Sequence, residues 1–174
     1  MHSPVPLAIA KCLAGLPRES LQPIAWVRFN FRGVGTSEGS YDDARGEVDD
    51  ASAAIEYARH VAPGAAITVC GHSFGSFVGL RAATRDGRVD RLLLLAPSTR
   101  FFAFRDGAGR FGGKATIFVG DMDELCDVGE ARVLADELGA DLRVFEGFDH
   151  HFMKSRRAMA EAAIPVIAPE ATSP

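Results

Sequence analysis

The sequence lacks any apolar run approaching the roughly 18 residues needed to cross a membrane. Its mildly apolar stretch at residues 5–16 carries Lys11 in the middle and has no basic lead-in, so it reads neither as a membrane span nor as a signal peptide. Excess basic charge is missing too. The formal net charge is −4 and Lys and Arg are scattered, which excludes the electrostatic footprint of a nucleic-acid partner. Cysteine is scarce: Cys12, Cys70 and Cys126 are odd in number and match no zinc spacing, so free thiols in a reducing, cytoplasmic setting are expected. The stretch Arg32-Gly-Val-Gly-Thr-Ser-Glu-Gly39 has the glycines but not the spacing of either phosphate-binding loop, which argues against a nucleotide-binding module.

What remains is the composition of a globular protein. The chain has 174 residues, 47% hydrophobic and 24% charged, enough to bury a core as one domain over residues 1–174, with 168–174 expected to be a flexible tail. No internal repeat or linker divides it.

Short β-branched and aromatic runs alternate with helical patterns along the chain. Strands are expected near residues 24–30, 66–70, 91–96, 115–119 and 142–145. Helices are expected near 42–61, 75–85 and 128–139, and from about Phe152 onward. Leu7, Ile9, Ala10, Leu13 and Ala14 suit one face of a further helix. Because parallel neighbours need a crossover, this alternation predicts an α/β fold: a mostly parallel sheet of about five strands with helices on both faces.

Gly71-His72-Ser73-Phe74-Gly75 falls where the strand at 66–70 meets the next helix. A sharp strand-to-helix turn there would hold Ser73 in a strained conformation at the carboxyl end of the sheet, with flanking glycines permitting close approach of the chain. The helix beginning at that turn offers the Phe74 N–H to a developing oxyanion. A serine at its free pKa needs a base, and the base needs an orienting carboxylate. Asp121 and Asp123 follow the strand at 115–119, and His150 and His151 follow the last strand, giving the chain order Ser, Asp, His. His72, next to the serine, is expected to be a pocket wall or core neighbour, pointing away from the reacting face.

Three stretches resemble the α/β-hydrolase superfamily, and more closely its small, lidless bacterial serine hydrolases of the dienelactone-hydrolase-like and serine-aminopeptidase-like kind. They are Arg28-Phe-Asn-Phe-Arg-Gly-Val-Gly-Thr-Ser-Glu-Gly39, Gly71 to Gly75, and Gly120-Asp-Met-Asp123 with Gly147-Phe-Asp-His150. The resemblance implies Asp123 over Asp121 as the acid and His150 over His151 as the base. Asp121 would then cap its loop, and His151 would be a packed or partly exposed imidazole. It further implies a carboxylesterase-like enzyme that cleaves a small ester, thioester or amide through an acyl-serine, with no metal or organic cofactor. Arg32 would tie the loop at residues 30–39, turning at Gly33 and Gly35. Phe101, Phe102 and Phe104, which stand where larger relatives insert a lid, would either wall an acyl pocket or pack in the core.

The sequence departs from that pattern at one place. Similar proteins carry strands before the first helix and a loop whose backbone N–H completes the oxyanion hole. Here residues 1–4 stand where that helix would begin, so the chain reads as N-terminally truncated and Phe74 N–H as lacking its second donor. Two expectations follow: the strand at 24–30 either pairs directly with that at 66–70 or stands apart across an open lane. The same departure supports an alternative function, a weak or inactive homologue acting as a binding module.

Overall fold

The computed structural model describes residues 3–16, 24–105 and 110–169. Helix α1 (Pro4–Ala14) opens on a proline in its first turn, where the missing N–H costs nothing, and buries Val5, Ile9 and Leu13 at four-residue steps. Helix α2 (Arg45–Val61) buries Val48, Ala51 and Ile55. Strand β1 (Thr68–His72), helix α3 (Phe74–Asp86), strand β2 (Arg91–Leu95) and strand β3 (Lys114–Gly120) follow. Helix α4 (Val128–Leu138) starts at Asp127, whose side chain accepts from the N–H groups of Gly129 and Glu130, and stops at Gly139, whose φ of 60° ends the helix. Strand β4 (Asp141–Phe145) leads to helix α5 (Arg156–Ile167), capped by Ser155. The closing helix thus begins later than its periodicity suggests, because Phe152 takes a φ of 52° and ends a turn there. Of the tail expected at 168–174, residues 170–174 lie outside the described residues, and Ala168 is buried.

Among the described residues, four strands form one parallel sheet in the order β1-β2-β3-β4. Alternation along β2 divides the core. Leu92 and Leu94 face a layer with Val48, Ala51 and Ile55 of α2, Phe77 and Leu80 of α3, and Leu134 and Leu138 of α4. Leu93 and Leu95 face Val5, Ile9 and Leu13 of α1 with Met159, Ala163 and Ile164 of α5. Both faces of the sheet are therefore covered, as a parallel sheet requires. Among the described residues, no helix is long and apolar enough to cross a membrane.

The fifth strand expected at residues 24–30 does not form. That segment joins no ladder, and Trp26, Val27 and Phe29 are 47%, 39% and 46% exposed. Between it and β1 lies an apolar groove of about 560 Å³, lined by Ile9, Leu13, Ile55, Val69 and Cys70 among others. Of the two arrangements expected, the structure takes the open lane. The physical reason is non-local: β-branched and aromatic side chains favour a strand only when a neighbour supplies the backbone partners, and among the described residues none stands beside this segment.

Parallel register positions the site. His72 is level with Leu95, Leu95 with Phe118, and Gly120 with Phe145, so the segments leaving all four strands emerge along one edge.

Candidate active site

Ser73 is the N-cap of α3, with φ 57° and ψ −121°, a strained conformation for a residue with a side chain. Its N–H donates to the Leu95 carbonyl at 2.9 Å, and the buried Ser76 hydroxyl clamps the turn from below by donating to the carbonyls of Gly71 and Leu95. Gly71 is obligatory, because a Cβ there would lie 2.1 Å from the Gly75 carbonyl oxygen. Gly75 is not, since a Cβ on it would meet nothing within 4 Å. The expectation that both flanking glycines serve close approach therefore holds for Gly71 alone. Phe74, as the first residue of α3, has an N–H with no acceptor within its own helix.

The loop after β3 and the loop after β4 are locked together. Gly120 packs so tightly on Phe148 that a Cβ would lie 2.0 Å from the Phe148 carbonyl oxygen, and that oxygen accepts from Met122 N–H at 3.0 Å. Asp121 accepts from Gly147 N–H at 2.6 Å, so it ties the two loops and takes no part in contact with a histidine. Asp123 is buried, and its Oδ1 accepts from the N–H groups of Leu125 and Cys126. Both its oxygens stand 3.0 Å from Nδ1 of the buried His150, whose Nε2 stands 2.9 Å from Ser73 Oγ. His151 is exposed, its ring centroid 5.1 Å from that of His150.

Two contacts lay beyond sequence reasoning. Ser98, 2% exposed, places its Oγ 2.9 Å from Ser73 Oγ. His72 sits against His150, ring centroids 5.1 Å apart, with its Nε2 2.9 Å from the His150 carbonyl oxygen and its Nδ1 3.3 Å from Ser3 Oγ. A carbonyl only accepts, so Nε2 carries the proton and Nδ1 accepts from Ser3. Burial pushes the His72 pKa down to about 4 and keeps the ring neutral. A serine just past the strand neighbouring the turn would have been the sequence signal for Ser98.

A model of the serine aminopeptidase family, S33, matches residues 20–104. An α/β serine hydrolase without a lid from Xanthomonas campestris superposes with a TM-score of 0.83 at 29% identity, covering 100% of this chain and 77% of that one. The chain has the α/β-hydrolase fold. An α/β serine hydrolase homologue from Coxiella burnetii gives a TM-score of 0.82 at 28% identity, with 97% of this chain and 78% of that one covered. An uncharacterized protein of Rickettsia prowazekii is 27% identical over 146 residues. That match takes in 78% of this hydrolase-fold chain, which spans 61% of the Rickettsia protein's length.

The loop leading to α2 borders the site through Phe31 and Tyr41, whose rings meet Phe74 at 5.6 and 6.0 Å. Gly33 and Gly35 turn it with φ of 70° and 64°. Arg32 fastens it to α2 through Asp50, which accepts from the Arg32 backbone N–H at 2.9 Å and from its guanidinium at 2.8 Å. That pairing holds the Asp50 carboxyl below its ordinary pKa. Phe104 is buried and Phe102 half-buried around Phe77, so these two pack in the core, while Phe101 is exposed.

Proposed function

We propose that the chain is a carboxylesterase-like serine hydrolase that cleaves a small ester, thioester or amide in the cytoplasm. The observation that carries this reading is the unbroken chain of contacts from Asp123 through both nitrogens of His150 to Ser73 Oγ. With Nδ1 facing a carboxylate, neutral His150 carries its proton there and leaves Nε2 to accept from the Ser73 hydroxyl. Ser73 Oγ attacks the carbonyl carbon as its proton moves to Nε2, and the carbonyl π pair moves onto oxygen, which the Phe74 N–H and the N-terminus of α3 stabilise. His150 then protonates the leaving group. Water repeats the sequence on the acyl-serine, with Ser73 Oγ now the departing atom. Asp123 holds the imidazole in its tautomer and stabilises the imidazolium.

One observation favours a second reading, a homologue that binds without turnover. The segment at 24–29, which runs into the loop beside Phe74, has no ladder partners and faces the groove, so that side of the site is held less firmly than the other. Reaction with a fluorophosphonate, lost in Ser73→Ala, separates the two, because only an activated serine is labelled.

A further inference from the structure

Counting protons along the contact chain assigns a role to a residue outside the triad pattern. Neutral His150 keeps its single ring proton on Nδ1, toward Asp123, so Nε2 is an acceptor and the Ser73 hydroxyl proton is committed to it. The 2.9 Å contact between Ser73 Oγ and Ser98 Oγ then has one polarity: Ser98 donates and Ser73 accepts. We infer that Ser98 is a further catalytic residue, whose hydroxyl stabilises the negative charge that builds on Ser73 Oγ.

The backbone is arranged to hold it there. Ala96, with a φ of 46°, and Pro97 turn the chain sharply at the end of β2, and the Ser98 carbonyl accepts from the N–H groups of Phe101 and Phe102 at 3.1 and 3.2 Å. Ser98 is 2% exposed, so its hydroxyl is shielded from water and its described side-chain partner is the Ser73 oxygen. A hydroxyl placed only for packing would not need to be aimed at that atom.

The inference rests on the serine-hydrolase reading and extends it. During attack, the Oγ–carbon bond forms while the Oγ proton passes to His150 Nε2, and Ser98 keeps its own proton throughout. The accepting oxygen is more negative in the transition state than before it, so this hydrogen bond strengthens as the barrier is climbed and lowers it. In the acyl-serine, Oγ is an ester oxygen and a poor acceptor. When water attacks and Oγ departs, the same donor meets the same growing charge from the other direction. Loss of Ser98 should therefore slow both acylation and deacylation, without moving the pH midpoint of either rate.

The test is the second-order rate of fluorophosphonate labelling and the rate of p-nitrophenyl acetate hydrolysis for wild type, Ser98→Ala, Ser98→Cys and Ser98→Thr, with thermal melting of each. Expected are a drop of about 10-fold in both rates for Ser98→Ala, the worth of a hydrogen bond to a partly charged oxygen, and an unchanged pH midpoint. Ser98→Cys, which keeps the volume and weakens the donor, should fall likewise, and Ser98→Thr, which keeps the hydroxyl, should hold nearer the wild-type rates. Ser98→Ala and Ser98→Cys labelling as fast as wild type, or faster, would overturn the role of Ser98 while leaving the hydrolase reading in place. A wild-type chain that is not labelled would overturn the hydrolase reading itself, and this inference with it.

Discussion

The His72 ring donates from Nε2 to the main-chain carbonyl of His150 at 2.9 Å, so the residue before the serine fixes the backbone of the residue placed to be its base. In His72→Phe that donor is lost and a buried carbonyl is left unpaired, whereas the amide of His72→Gln can supply an N–H at similar reach. We expect the turnover number to fall about 10-fold in His72→Phe and to be largely kept in His72→Gln. Esterase assays at saturating substrate check this, since a change confined to KM would point to the pocket instead.

The same ring makes folding pH-dependent. Burial lowers its pKa from 6.5 to about 4 in the folded chain; the hydrogen bond to the His150 carbonyl opposes that shift, the His150 and His151 rings add to it, and Asp123 opposes it. Above pH 6.5 the ring is neutral in both states and its contribution is fully present. As pH falls toward 4, the unfolded chain takes up a proton that the folded chain refuses, and stability declines by an amount on the order of 3 kcal/mol before levelling off. The urea midpoint should fall further between pH 7 and 4.5 for wild type than for His72→Phe.

The two aspartates after β3 should separate cleanly. Asp123→Asn is expected to lower turnover by roughly 10³ to 10⁴, because the amide cannot hold the imidazole tautomer that a carboxylate holds. Asp121→Asn should leave turnover within a few-fold, since Asp121 accepts from Gly147 N–H and has no contact with His150. Burst and steady-state kinetics of the two variants side by side decide the matter.

The glycines around the site predict opposite outcomes. Gly71→Ala and Gly120→Ala each drive a Cβ into a carbonyl oxygen, at 2.1 and 2.0 Å, and should cost about 1–3 kcal/mol in a denaturant melt. Gly75→Ala has open space and lies in the first turn of α3, so it should be neutral or slightly stabilising.

Much of this architecture is legible in the sequence because the deciding signals are local. The turn at Gly71–Gly75 is written in five consecutive residues, and the unbroken apolar run Leu92 to Leu95 declares a strand buried on both faces. Asp123 and His150 are legible in order from the residues and as a pair only through the resemblance: their meeting depends on Gly120 accepting the Phe148 carbonyl against its Cα, a contact between distant residues. Residues 24–30 fail for the reverse reason. Their side chains suit a strand, yet a strand exists only through its neighbour. Ser98 has only a weak signature, one serine just past a strand, and its place beside Ser73 is revealed only by the register of β1 and β2.

The groove beside β1 should be visible in solution. Trp26 is the chain's single tryptophan and about half exposed, so its emission should be red-shifted and readily quenched by acrylamide. The apolar lining should bind an environment-sensitive dye such as anilinonaphthalene sulfonate in the native state. A blue-shifted, unquenched tryptophan and no dye binding would show the groove closed.

The central claim is that Asp123 and His150 make Ser73 a nucleophile. Its most direct measurement is reaction of the folded wild-type chain with a fluorophosphonate, followed by mass-spectrometric mapping of the modified peptide. The adduct is expected on Ser73, abolished in Ser73→Ala and strongly slowed in His150→Ala, with all three proteins retaining the same circular dichroism. No adduct on the folded wild-type chain, or an adduct on another residue that survives Ser73→Ala, would contradict it.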